Sequence, residues 1–295
     1  MLTKNQFDIL TCLIETNKDL AQRNISNETG LSLGTVNKTI TELTELGFLK
    51  DKKVTDEGVK VLEPYRVKKA IIIAAGLGSR LIPITLNTPK PLVRVKGKRI
   101  IENTLEALTE IGIEEIYLVR GYLAKQFDEL LYKYPNIKFI ENEIYNEANN
   151  ISSIYLSREH LGNNYILEAD LLVYNKKIIK KYQYSTNYLT VPVKETDDWC
   201  FFLKGKYVNK MAIGGKDCYK IAGISYWTEE DGKKLARDVE EMFNSPGGKE
   251  RYWDQVPMEY YLDNYKVTVT TCTEKDIVEI DTFNELKQID KTYDV

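Results

Sequence analysis

The residues of this 295-residue chain that could do chemistry fall in a few short stretches. The most informative is Ala74-Ala75-Gly76-Leu77-Gly78-Ser79-Arg80-Leu81, which follows directly on an apolar β-branched run. Glycines at such a corner let backbone N–H groups approach a phosphate or a base. Arg80 comes immediately after them, and Lys90 stands ten residues further on between two prolines, which restrict where its backbone can point. An arginine and a lysine beside inward-facing amides suit a polyphosphate and the charge that develops on a leaving pyrophosphate. Two other phosphate loops are excluded. A dinucleotide fingerprint needs a glycine where Leu81 stands, and a P-loop needs a Gly-Lys-Ser/Thr that is absent.

Carboxylates come next. Glu168-Ala169-Asp170 closes one apolar run and Val278-Glu279-Ile280-Asp281 another, so Asp170 and Asp281 each end a strand. Open parallel sheets bind ligands at that edge. An isolated strand-end aspartate is usually a turn former or a helix cap. Two of them in a chain that also carries the glycine loop suit Mg²⁺, which takes one or two carboxylates plus phosphate oxygens and water. Glu168 and Glu279 flank these aspartates and are read as pointing to the opposite face. The single histidine, His160, excludes multi-histidine metal sites and reads as a solvated residue near a helix end. The four cysteines are scattered and form no C-x-x-C pair, which suits reduced, buried thiols in a cytoplasmic protein.

Two regions must position these groups. Residues 1–66 read as helices. Phe7, Leu10, Leu13 and Ile14 share one helical face, a second helix lies within Leu20 to Thr29, and Ser32 caps a third with Val36, Ile40, Leu43 and Leu46 in one stripe. A ribbon turning at Asp51-Lys52 and a last helical piece, Asp56 to Leu62, complete the region. From residue 67 to 295 strands alternate with helices. Strands are expected at Lys69 to Ala75, Ile116 to Val119, Ile137 to Ile140 and Tyr165 to Ala169. Helices are expected at Ile100 to Ile111, Tyr122 to Lys133 and Asn149 to Leu161. That alternation implies an α/β fold with a mostly parallel sheet covered on both faces. Past residue 185 the pattern is β-rich and less regular.

The stretch Ile25 to Leu49 resembles the winged helix-turn-helix family. The resemblance implies DNA contact through Ser32, Thr35, Asn37 and Lys38, with a dimerisation or regulatory module as the alternative. Residues 1–66 carry nine basic and ten acidic side chains, a poor footprint for phosphates, and Lys50, Lys52 and Lys53 form their one basic cluster. The longer pattern, Ala74 to Leu81, then Pro83, Thr85 and Pro89-Lys90-Pro91-Leu92, resembles the sugar-nucleotide pyrophosphorylase superfamily. Residues 69–291 look most like bacterial CTP:phosphocholine cytidylyltransferases, through Glu147 to Tyr155, Asp198-Trp199, Ala222 to Trp227, Tyr252-Trp253-Asp254 and Glu279-Ile280-Asp281. Asp170-Leu171-Leu172 departs from that family's usual Asp-Asn-Tyr.

The resemblance implies a Rossmann-like nucleotidyltransferase domain of mixed, mostly parallel sheet. Arg80 and Lys90 would act on the triphosphate, and Asp170 and Asp281 would hold Mg²⁺. Ala74, Ala75, Gly76, Gly78, Ser79, Asn149, Asn150 and Ser152 would lie by the nucleotide, with CTP and phosphocholine as substrates. Related enzymes use phosphoethanolamine, aminoethylphosphonate or sugar 1-phosphates, and a regulator that merely senses a nucleotide or choline metabolite is the non-enzyme alternative. Choline's quaternary ammonium donates no hydrogen bond, so aromatic faces beside acids must select it. Trp199, Tyr252, Trp253 and Asp254 fit that description, and Lys194 is the candidate for the acceptor phosphate. With 41 basic and 44 acidic residues the chain is neither a polycation nor a polyanion, and no apolar run is long enough to cross a bilayer.

Overall fold

The computed structural model describes residues 1–16 and 21–294. By internal contacts they form two compact units, Met1–Arg66 with Tyr182–Tyr184, and Val67–Lys181 with Ser185–Val295.

The first unit packs three helices, α1 (Lys4–Thr16), α2 (Gln22–Thr29) and α3 (Leu33–Glu45), around Ile9, Leu10, Ile25, Val36 and Leu43. Leu20, where the expected second helix begins, lies outside the described residues. Gly30 and Gly47 adopt positive φ after α2 and α3, and the Ser32 hydroxyl accepts from the Thr35 amide to start α3. The ribbon is β1 (Leu49–Lys50) with β2 (Lys53–Val54), closed by Asp51 and Lys52 at φ 49° and 61°. Two consecutive left-handed residues make the hairpin turn whose twist matches the strands. A short α4 (Asp56–Lys60) follows. Tyr182 and Tyr184 complete this core, with the Tyr184 ring stacked on Tyr65 at 5.5 Å, although they lie far beyond residue 66.

The second unit is built on a seven-stranded mixed sheet. Strand β3 (Lys69–Ala74) lies inside this sheet, so the glycine loop at its end emerges away from the sheet edges. A small hairpin, β4 (Arg94–Val95) and β5 (Lys98–Arg99), leads into α5 (Ile100–Glu110). Next come β6 (Glu115–Arg120), β7 (Ile137–Glu141), α6 (Ile151–Ser157), β8 (Asn164–Glu168) and β9 (Leu171–Val173). The chain then forms a long hairpin, β10 (Asn187–Lys204) with β11 (Tyr207–Trp227), followed by α7 (Glu229–Asn244), β12 (Thr268–Thr271), β13 (Ile277–Glu279) and α8 (Phe283–Ile289). Strands β7, β6, β3 and β8 are parallel, and β11 joins β8 antiparallel.

Alternation along β3 sorts the two cores. Ala70, Ile72 and Ala74 face the layer that holds Ile101, Leu105 and Leu108 of α5, while Ile71 faces Ile151 and Ile154 of α6 and Leu235 and Val239 of α7. One expected α-helix differs: Ala124–Tyr132 is a 3₁₀ helix. Leu123 enters it at φ 49°, and Arg120 holds the Ala124 carbonyl at 3.1 Å, so the first turn is wound around that side chain. His160 is half-buried rather than solvated, its ring stacked at 3.8 Å on Tyr117.

Two devices set the edge that carries Asp170 and Asp281. Strand β9 pairs antiparallel with β13, so Asp170, just before β9, and Asp281, just after β13, end side by side. Beyond β13, Thr282 and Glu285 form a capping box: the Glu285 carboxylate accepts from the amides of Asp281 (2.7 Å) and Thr282 (2.9 Å), and Thr282 accepts from the Glu285 amide. Glu285→Ala is therefore expected to lower stability by about 1 kcal/mol, read as a shift in the urea midpoint at unchanged slope. An unchanged midpoint would mean that the box does not hold this corner.

Candidate active site

The glycine loop leaves β3 with Gly78 at φ 61°. A Cβ there would stand 2.9 Å from Lys90 Cβ and 3.1 Å from Thr85 Cγ2, so only glycine lets the loop lie against the Lys90 segment. The Thr85 hydroxyl donates to the Gly78 carbonyl at 2.8 Å and ties the two together. The loop forms one wall of a cavity of about 580 Å³, within the ordinary size range of small-ligand sites.

Lys90 is at the centre. Its buried Nζ donates to Asp170 Oδ2 at 2.7 Å and to Asp281 Oδ1 at 3.2 Å, while Arg80 donates to Asp281 Oδ1 at 2.7 Å. Burial works against the lysine's charge, but Asp170, Asp281 and Glu279 outweigh it, and the pKa is raised. The ammonium stays protonated at neutral pH. Asp170 Oδ1 is buried and has no hydrogen-bond partner.

Sequence alternation placed Glu168 and Glu279 on the far face, and the structure corrects this. Ligand atoms of Glu168, Asp170 and Glu279 lie within 4.8 Å of one another, and both glutamates line the cavity. Residues two apart share a face of a strand, so the spacing Glu168/Asp170 and Glu279/Asp281 already carried the signal. Burial, and then the neighbouring acids, raise the pKa values of the two glutamates. Burial, then Asp170, Glu279 and Asp254, push Glu168 well above the usual range, and burial with Asp170 and Asp281 pushes Glu279 to about 8. Burial pushes Asp254 to about 7, against a hydrogen bond from Tyr188 that pulls it down. Perturbed acids gathered in one cleft mark a functional site. The donors are all hard carboxylate oxygens, one of them orphaned, which suits Mg²⁺.

The other expected residues divide. Ala74, Gly76, Gly78 and Ser79 line the cavity; Ala75 is buried behind it and accepts from the Tyr122 amide. Asn149 and Asn150 line it and are anchored to the 249–253 loop, Asn149 through the Glu250 carbonyl and Asn150 by accepting from the Trp253 amide at 2.9 Å. Ser152 does not. It is buried, bonded to Asn142 and to the Asn149 carbonyl, and braces the Asn149-Asn150 turn from behind.

Elsewhere in the wall Trp199 and Tyr252 meet edge to face at 5.9 Å, and their sequence neighbours Asp198 and Asp254 line the cavity with them. Trp253 is corrected from the expected cage: it is 3 % exposed, and its ring stacks on Tyr188 and packs edge-on against Trp227 in the core. Its sequence neighbours Tyr252 and Asp254 line the cavity, while the indole turns inward to the core. Lys194 is also corrected, since it is exposed on β10 and lies outside the cavity lining. Asp198, named from sequence only within the Asp198-Trp199 motif, is part of the wall. Among the described residues the cavity thus carries six carboxylates, Glu168, Asp170, Asp198, Asp254, Glu279 and Asp281, against the cations Arg80 and Lys90.

Comparison with known proteins agrees with this geometry. A nucleotidyl transferase family model matches residues 69–198, and a winged helix-turn-helix DNA-binding family model matches residues 2–50. A 2-aminoethylphosphonate cytidylyltransferase of Lancefieldella rimae is 37% identical over 229 residues, covering 76% of this chain and 92% of that protein. A choline-phosphate cytidylyltransferase of Streptococcus pneumoniae is 33% identical over 227 residues, covering 76% and 97%. The solved CTP:phosphocholine cytidylyltransferase of Streptococcus pneumoniae superposes with a TM-score of 0.72 at 32% identity, over 77% of this chain and 99% of that one. With glycine loop, paired aspartates and bridging lysine in one cleft, the chain belongs to the cytidylyltransferases of the nucleotidyl transferase family.

Proposed function

We propose that the protein transfers CMP from CTP to phosphocholine in an Mg²⁺-dependent reaction, releasing CDP-choline and pyrophosphate. The observation that carries the acceptor's class is a cavity lined by more acidic than basic side chains, with Trp199 and Tyr252 edge to face in its wall. A neutral sugar phosphate would add only negative charge to such a cleft, whereas an acceptor with a cationic amine offsets it. Trp199 and Tyr252 offer π faces and Asp198 and Asp254 charge, a combination suited to a quaternary ammonium.

In this reading a phosphate oxygen of the acceptor attacks the α-phosphorus in line. The new P–O bond forms as the bond to the bridging oxygen of the β-phosphate breaks, and the electron pair leaves with pyrophosphate. The acceptor oxygen is already anionic, so no general base is required. The protein's work is positioning and charge stabilisation. Arg80 and Lys90 neutralise the triphosphate from beside the glycine-loop amides, and Asn149 and Asn150 border the nucleotide. Asp170 and Asp281 would hold Mg²⁺, which when bound supplies positive charge to the phosphate oxygens. A receptor that only sensed metabolites would not need Lys90, Arg80 and two metal-competent aspartates together.

One observation favours a second acceptor, 2-aminoethylphosphonate. With Trp253 in the core, the cationic end meets two rings and several carboxylates, and carboxylates can accept the hydrogen bonds that a primary ammonium donates and choline cannot. Steady-state kinetics with CTP and phosphocholine, 2-aminoethylphosphonate, phosphoethanolamine and glucose 1-phosphate separate these readings. The expected order puts phosphocholine first and the sugar phosphate at least about 100-fold behind in kcat/KM. A preference for 2-aminoethylphosphonate would move the assignment to the second acceptor, and a preference for the sugar phosphate would end both.

We further propose that the first unit binds duplex DNA. Ser32, Asn37 and Lys38 are exposed at the start of α3, Thr35 is half-buried with its hydroxyl on Ser32, and Lys50, Lys52 and Lys53 stand exposed on the ribbon. So few cations give weak contacts of steep salt dependence. In fluorescence anisotropy with random-sequence duplex, affinity should fall as salt rises, and the slope should shrink when Lys50, Lys52 and Lys53 are changed together to glutamine. Salt-independent affinity, or none at low salt, would leave this unit a dimerisation or regulatory module.

A further inference from the structure

The core around Trp253 contains a hydrogen bond that packing alone does not require. Tyr188, the second residue of β10, is 1 % exposed. Its ring is enclosed by three aromatics: Trp253 stacked at 6.0 Å, and Phe201 and Trp227 edge-on at 5.1 and 6.1 Å. A phenylalanine would fill that space. A hydroxyl there loses water and needs a partner, and it has one: it donates to Asp254 Oδ1 at 2.7 Å. Asp254 is on the cavity wall, next in sequence to the buried Trp253, whose amide is fixed by Asn150. Its carboxylate is thus held from below by a rigid core side chain.

We propose that Tyr188 is a positioning residue for the acceptor: its hydroxyl aims the Asp254 carboxylate at the acceptor's cationic end. The inference rests on the reading that this end of the cavity takes a cation. The tyrosine hydroxyl is the side-chain donor that favours the anionic form of Asp254 against its burial. Tyr188 is not among the residues that line the cavity. Its loss should therefore be felt in acceptor binding and not in nucleotide binding.

A kinetic double-mutant cycle tests this with Tyr188→Phe, Asp254→Asn and the pair together. Each is assayed with CTP against phosphocholine, against 2-aminoethylphosphonate, and against 3,3-dimethylbutyl phosphate, which replaces choline's nitrogen by carbon. Tyr188→Phe keeps the ring and so the aromatic packing. It should raise the KM of the preferred cationic acceptor about tenfold, leave the KM for CTP unchanged, and add nothing in the Asp254→Asn background. Turnover of the neutral analogue should be the same with and without the hydroxyl. Additive effects, or equal rises in both KM values, would overturn the proposal and make Tyr188 a packing residue. If the unmodified enzyme used the neutral analogue as well as the cationic acceptors, the reading of the cationic end would fall first.

Discussion

One ammonium group is shared by two carboxylates that are far apart in the sequence. Lys90 reaches Asp170 and Asp281, which lie 80 and 191 residues further along the chain, and the architecture around it serves that meeting. Gly78 must lack a side chain so that the loop can lie on the Lys90 segment. Prolines on either side of Lys90 limit its backbone. The β9–β13 pairing brings the aspartates abreast, and the capping box of α8 holds the second of them. A buried charge with one partner removed is strongly destabilising, so none of these parts is independent of the others.

The same cluster explains the electrostatics of the cleft. Four further acids stand around it, and burial with their mutual repulsion raises the pKa values of Glu168 and Glu279. Such a site accepts positive charge readily. A divalent cation and an amine are the two forms of positive charge that the proposed reaction brings. Stability and function pull apart here, since like charges packed together cost folding free energy in proportion to how well they attract a cation.

Much of this was legible in residues alone. Strand β3, the glycine loop and α3 with its Ser32 cap follow from short-range patterns: β-branched runs, glycines at positive φ, apolar residues at helical spacing. The acids at Asp170 and Asp281 were visible as strand ends. What sequence concealed depended on long-range placement. Trp253 lies between a tyrosine and an aspartate and reads as exposed, yet the turn after residue 252 sends its indole into the core. Lys194 sits on the right strand, but its side chain lies outside the cleft. Tyr182–Tyr184 belongs with residues 1–66 through ring stacking that no local pattern encodes. Glu168 and Glu279 were misassigned although their spacing of two carried the answer.

The central claim is that the Lys90–Asp170–Asp281 cluster is where CTP is turned over with a metal ion, and turnover of Asp170→Asn across a range of Mg²⁺ concentrations tests it most directly. Asparagine keeps an oxygen that can accept from Lys90 but loses the negative charge, so the unfolding midpoint should fall while the enzyme stays folded under assay conditions. The account predicts that kcat falls by about 100-fold or more and that added Mg²⁺ does not restore it. An Asp170→Asn enzyme that keeps most of its activity at ordinary Mg²⁺ would contradict it.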